Sequence, residues 1–217
     1  MNNQLLHFNQ LKDEVEKYKT QLEKSAYFDS IKEVYKGFQI LFSPLTINPE
    51  FMFIGINPGA GYYNSTGNWV NRLEPEATME YVYENYALAR ETKKLFSLLG
   101  LTNDDLSKCV KTNFYYIATK NETQLNKIID KLDPLSFERK SNEWTRQLIE
   151  IVNPKAIICE GVSAYKKVMG MYQLSENWDG DVAYSKFGGL HVYGYKRRFS
   201  NIKDKEKLSK CIGNFMN

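Results

Sequence analysis

Phe51-Met-Phe-Ile-Gly-Ile56 is a continuous apolar run bracketed by Pro49 and Pro58, and it runs straight into Asn57-Pro58-Gly59. A short run with no polar alternation has both faces buried, as in a strand inside a parallel sheet. In the turn that follows, Pro58 fixes φ and Gly59 tolerates a positive φ. The Asn57 amide is thereby held rigidly over the sheet edge. An amide there can orient a water, and neighbouring backbone N–H groups can bind an anion. The same three residues also make an ordinary Asx-type turn with no chemistry, and the local sequence leaves both readings open. The loop is not a dinucleotide fingerprint: Gly59-x-Gly61 lacks the further glycine, and no phosphate-loop Lys-Ser/Thr follows.

Upstream of the run, Leu5, Phe8, Leu11, Val15, Tyr18 and Leu22, then Tyr27, Ile31, Val34 and Phe38, recur every three to four residues. The spacing predicts helix from residue 3 to about 42, ended by Gly37 and Ser43-Pro44. Downstream, 60–75 reads as a loop and 76–99 as helix with Gly100 as C-cap. Cys109–Ala118 reads as a second strand followed by a polar turn, and 137–152 as helix. Lys155–Glu160 reads as a third strand, with helix starting at Ser163. Asp179 and Asp181 flank Gly180 as turn residues, Leu190–Tyr195 is the last strand, and 203–215 the last helix. Strands alternating with helices imply a three-layer α/β/α fold around a central, mainly parallel four-stranded sheet. The chain is expected to be one domain over 1–217, with a helical region, 1–44, packed on the core. Ligands of such sheets bind at the carboxyl ends of the strands, which directs attention to loops 57–68, 116–124 and 196–201.

Composition narrows the function classes. The 217 residues carry 29 Lys and Arg against 26 Asp and Glu, a net charge of +3. That mild excess is compatible with nucleic acid without being diagnostic of it. Three scattered cysteines, with no CxxC, suit a reducing compartment and make neither a zinc site nor a disulfide framework. Only His7 and His191 are present, which excludes a histidine-pair mechanism. No metal-ligand spacing occurs among the acidic residues, and no cofactor is expected. There is no apolar stretch of membrane-spanning length and no apolar signal core at the N-terminus, so a cytoplasmic monomer is expected, with no membrane partner. Fifteen Tyr, twelve Phe and three Trp supply core material and, where exposed, platforms for unstacked bases.

Phe53-Ile-Gly-Ile-Asn-Pro-Gly-Ala-Gly61 resembles the first motif of the uracil-DNA glycosylase superfamily, most closely its mismatch-specific and single-strand-selective branches. Thr66-Gly67, Thr112-Asn113-Phe114 and Pro154-Lys155 through Gly161 resemble later features in the family's order, so the likeness covers roughly residues 45–210. The resemblance implies the family's fold and a DNA partner, single- or double-stranded. It implies that Asn57 positions the hydrolytic water, that Ile56 and Gly59 border the base, that Asn113 hydrogen-bonds its edge, and that Trp69 stacks on it. Chemistry on a base does require extrusion into a pocket with such contacts. Read from its strand alone, Asn113 is equally a core amide bonded to a neighbouring loop.

The last motif departs from the family. Tyr195-Lys-Arg-Arg-Phe-Ser-Asn201 stands where the family carries His-Pro-Ser or a close variant, with Lys196 in place of the His. A cation there can stabilise the departing base anion. Lys196, Arg197 and Arg198 can equally grip phosphates, with Ser200 beside them, and Phe199 can act as a wedge in the base stack. A solvated basic turn is the plain alternative. Glu160, at the end of the third strand, can serve as a general base, but a carboxylate before Gly161 more often caps the following helix. The expected activity is a monofunctional DNA glycosylase acting on a flipped uracil or a modified or damaged base, since no Lys has the context of a Schiff-base nucleophile. The other reading is a non-catalytic nucleic-acid-binding relative that retains the pocket.

Overall fold

The computed structural model describes residues 3–59 and 71–216. In chain order these form α1 (Asn3–Glu23), α2 (Phe28–Ile31), β1 (Phe51–Gly55), α3 (Glu80–Tyr83), α4 (Ala87–Leu98) and α5 (Asn103–Ser107). There follow β2 (Val110–Asn113), α6 (Glu122–Leu132), α7 (Phe137–Val152), β3 (Ala156–Cys159) and α8 (Val162–Met171). The chain then runs through β4 (Trp178–Asp179), β5 (Val182–Phe187), β6 (Leu190–Tyr195), β7 (Arg197–Arg198), β8 (Asn201–Ile202) and α9 (Lys205–Met216).

Among the described residues the main sheet has the order β2-β1-β3-β6-β5-β4. The four strands read from the sequence are its parallel part, paired β2 with β1, β1 with β3, and β3 with β6. Two antiparallel strands, β5 and β4, extend it to six. They are hairpins: Gly180 (φ +65°) lies in the turn between β4 and β5, and Gly188 (φ +55°) with Gly189 in the turn between β5 and β6.

The apolar run is central because its alternate side chains serve different layers. Met52 and Ile54 enter a cluster with α1, α6, α7 and α8, while Phe51 and Phe53 enter a second with α3, α4, α5 and α9. β3 divides likewise, with Ile157 and Cys159 on one side and Ala156 and Ile158 on the other. Such strands cannot alternate polar with apolar, since water reaches neither face. On α1 the stripe Phe8, Leu11, Val15, Tyr18 and Leu22 is buried, each large apolar side chain contributing about 1.5–3 kcal/mol.

Three helix expectations need correction. The first helix ends at Glu23, a separate short helix covers Phe28–Ile31, and residues 32–42 are not helical. Gly37 takes φ +98°, and Phe38-Gln-Ile-Leu-Phe42 is buried on every side, so it lies extended, bridging to Ile117 and Thr112. The stretch 76–99 splits into α3 and α4, because Glu84 and Tyr86 are extended. The polar turn after residue 118 contains a whole helix, α6, capped by Asn121, whose side chain accepts from the Gln124 N–H. The second strand is also shorter than expected. After Asn113 the chain crosses the sheet's carboxyl edge, and the Phe114 and Tyr115 N–H groups donate to the Gly55 and Ile56 carbonyls.

Candidate active site

β1, β2 and β3 end side by side, Gly55 pairing with Asn113 and Ile54 with Cys159. Above those ends lies a cleft of about 660 Å³, within the usual range for small-molecule sites. Ile56, Asn57 and Gly59 line it from the turn, Asn113 from β2, Glu160 from the end of β3. Arg197 and Ser200 close it from the ribbon formed by β7 and β8.

The turn after β1 is stitched to the segment that follows β2. The Thr119 N–H donates to the Pro58 carbonyl at 3.2 Å. Asn57 Nδ2 donates to the Pro58 carbonyl and to Thr119 Oγ1, both at 2.9 Å, and Thr119 Oγ1 passes its own proton to the Asn121 carbonyl at 2.9 Å. Pro58 O can only accept, so the amide nitrogen must face it. Both Asn57 protons are thereby engaged, and Oδ1 is left as an acceptor.

Asn113 is 5 % exposed and faces the cleft. Gly55 makes room for it: a Cβ at Gly55 would stand 2.3 Å from Asn113 Oδ1 and 3.2 Å from Glu160 Oε2. That places the Asn113 side chain at the cleft, among its lining residues. Its Oδ1 lies over the backbone of β1.

Next to it is a buried charged cluster that the sequence reading did not assemble. Lys111, two residues before Asn113 and so on the same face of β2, pairs with Glu80 and also donates to Tyr86 Oη at 3.3 Å. Its Nζ lies 4.3 Å and 4.7 Å from the ring centroids of Tyr81 and Phe42. Tyr81 O–H donates to Glu160 Oε1. Burial holds the Glu160 carboxyl above the usual carboxylate range, opposed by Lys111, the Tyr81 hydrogen bond and Arg197. Burial, with Glu160 beside it, also pushes the Tyr81 phenol well up, so it remains a donor. Glu160 is thus not a helix cap. Gly161, at φ +118°, takes the N-cap place of α8, and no side chain caps that helix.

The basic loop is split by the fold. Lys196 Nζ donates to the Gly180 carbonyl at 2.8 Å and lies 3.5 Å from Asp181, over the Trp178 ring, so it is directed to the β4–β5 turn and not to the cleft. Residues alternate sides along an extended chain, and the next one, Arg197, though exposed, turns toward the cleft rim, its Nε 3.4 Å from where a Cβ on Gly161 would sit. Arg198 is exposed outside the cleft lining. Phe199, at φ +56°, tips the turn between β7 and β8 and is 89 % exposed. A bulky residue held at positive φ with its ring in water is strained and costly, as is common at functional sites. Trp69 and Thr66-Gly67 lie outside the described residues.

Fold and site together define an α/β protein with a ligand cleft at the carboxyl ends of its parallel strands, rimmed by a basic ribbon. The model of the uracil DNA glycosylase superfamily matches residues 42–210, and the chain belongs to that superfamily. The match spans the cleft residues from Phe42 to Ser200. Members of the superfamily are hydrolases of the DNA glycosylase type and act on DNA. No curated protein matches the chain.

Proposed function

We propose that the protein is a monofunctional DNA glycosylase that draws a base out of the stack into the cleft and hydrolyses its N-glycosidic bond. The observation that carries this reading is the hydrogen-bonding of Asn57. With both amide protons engaged by Pro58 O and Thr119 Oγ1, its Oδ1 is fixed as an acceptor for a water. That water attacks the anomeric carbon as the bond to the base breaks. The electron pair leaves with the base, and the water's proton is given up to base or solvent.

Asn113, buried beside Gly55, reads the base edge. Arg197, rather than Lys196, stabilises the negative charge that grows on the departing base. The exposed basic and aromatic side chains of the ribbon, Arg198 and Phe199, engage the phosphate backbone and the gap left in the stack. Lys111 does not serve as a Schiff-base nucleophile, because its Nζ is committed to Glu80 and Tyr86.

The test uses the purified full chain on single- and double-stranded oligonucleotides, each holding one uracil or one modified base. Abasic product is read after alkaline cleavage. The expected result is abasic sites without strand nicking, and a loss of about 10²-fold or more for Asn57→Ala with DNA binding retained. No abasic product from any substrate, together with salt-dependent binding, refutes the enzyme and favours a binding protein that retains the pocket.

A further inference from the structure

One buried side chain on the cleft floor has no role in hydrolysis as proposed. Glu160 is 4 % exposed and lines the cleft. Its Oε1 receives the Tyr81 O–H, and among the described residues no hydrogen bond reaches Oε2. Oε2 keeps contact with solvent on the cleft side, so this acceptor is open to a donor brought by a ligand. Oε2 and Asn113 Oδ1 both pack over Gly55, at 3.2 Å and 2.3 Å from where a Cβ there would be. The two oxygens are therefore neighbours among the residues lining the cleft that receives the base in the proposed function.

We infer that Glu160 is a specificity-determining residue: together with Asn113 it reads the edge of the flipped base, and its Oε2 selects a base carrying an exocyclic amino group over the oxo counterpart. The inference rests on the base-excision reading of the cleft. A carboxylate only accepts, so it pairs with the amino group of a cytosine- or adenine-type base. Uracil and hypoxanthine place a carbonyl oxygen at that position, lone pair against lone pair. The Asn113 amide, offering both donor and acceptor, accommodates the adjacent ring nitrogen in either case. Lys111 and Arg197 balance the carboxylate charge from β2 and from the ribbon.

Glu160→Gln tests this directly. The Tyr81 O–H still donates to Oε1, so the amide nitrogen takes the place of Oε2 and an acceptor becomes a donor. The probes are single-stranded oligonucleotides with one 2′-fluoroarabino nucleotide, whose glycosidic bond resists hydrolysis. They carry cytosine or uracil, and adenine or hypoxanthine. The wild type is expected to bind the amino-bearing member of each pair about tenfold tighter or more, and Glu160→Gln to reverse that order.

Equal binding of both members by the wild type, or a preference for the oxo base, overturns the inference whatever the variant does. Equal weakening of all probes by Glu160→Gln also overturns it, since that is the result of a merely structural role. Cleavage of the natural counterparts is measured alongside. Reversed binding preference without turnover supports the inference and removes the enzymatic reading. Turnover with uracil preferred overturns the inference and leaves the enzyme standing.

Discussion

Gly55→Ala places a methyl group 2.3 Å from Asn113 Oδ1 and 3.2 Å from Glu160 Oε2. Gly55 sits in β1 with ordinary strand backbone geometry, so the effect is steric and not conformational. To reach normal contact the Asn113 amide must retreat by about an ångström, and both it and Glu160 are buried. Overpacking of this kind costs about 1–3 kcal/mol, which in a chain of this size lowers Tm by roughly 2–12 °C. A displacement of about 1 Å in a group that orients the substrate costs on the order of 10²-fold in rate. Thermal unfolding and single-turnover release of the base measure the two effects. The control is Asn113→Ala in the same background, which removes the oxygen that clashes. Gly55→Ala should then add little instability to Asn113→Ala, so the two changes are non-additive. Wild-type stability and turnover in Gly55→Ala, or strict additivity in the pair, would show that Asn113 does not lie over Gly55 and would refute its place on the cleft floor.

Two further perturbations separate the roles around the cleft. Lys111→Met removes the Lys111 cation from buried Glu80, and a loss of about 3–5 kcal/mol is expected in denaturant unfolding. Adding Glu80→Leu should recover most of it, since paired apolar replacements of a buried ion pair are often neutral. On the ribbon, Arg197→Ala is expected to slow base release by about tenfold or more, whereas Lys196→Ala leaves single-turnover rates within about twofold, in accord with the near-neutrality of surface substitutions. Equal losses from the two would return the charge contact to the whole loop.

The parallel core of the fold was legible because burial on both faces leaves a plain mark: Phe51–Ile56, Ala156–Cys159 and Leu190–Tyr195 are short apolar or aromatic runs with turn residues after them. The β4–β5–β6 hairpins carried their own signals, Asp179-Gly180 and Gly188-Gly189, but β5 is half-exposed at the sheet's edge region and lacks a continuous apolar run. Residues 38–42 misled because Phe38 happens to extend the helical spacing of Val34, while the full burial of the segment is a tertiary fact. At the site, Asn57 stood out by its place after the first strand, whereas Asn113, read as lying inside Cys109–Ala118, was singled out only by the resemblance of Thr112-Asn113-Phe114 to the family's central strand. Lys111 did not stand out, since a lysine in a strand ordinarily points to water, and only the presence of Glu80 and Tyr86, far along the chain, makes its burial tolerable. The turn of Arg197 toward the cleft and of Lys196 away from it depended on the β4–β5 turn, whose Gly180 carbonyl and Asp181 capture the lysine.

The ion pair of Lys111 with Glu80 makes better sense as a positioning device than as a source of stability. Buried pairs of this kind recover at best the desolvation they suffer. What the pair fixes is α3, a helix of four residues, too short to hold its place by its own hydrogen bonds. Glu80 clamps α3 to β2, and the next residue, Tyr81, delivers the hydroxyl that holds Glu160 Oε1. Lys111 also opposes the effect of burial on the Glu160 carboxyl and so favours its charged, accepting form. One side chain on β2 thus governs both the orientation and the charge of a residue at the end of β3, two strands away across β1. The apolar double replacement separates the two contributions. It can repack the space and restore the fold, but it supplies neither the charge nor the anchored Tyr81, so whatever discrimination Glu160 provides should be lost even where stability returns.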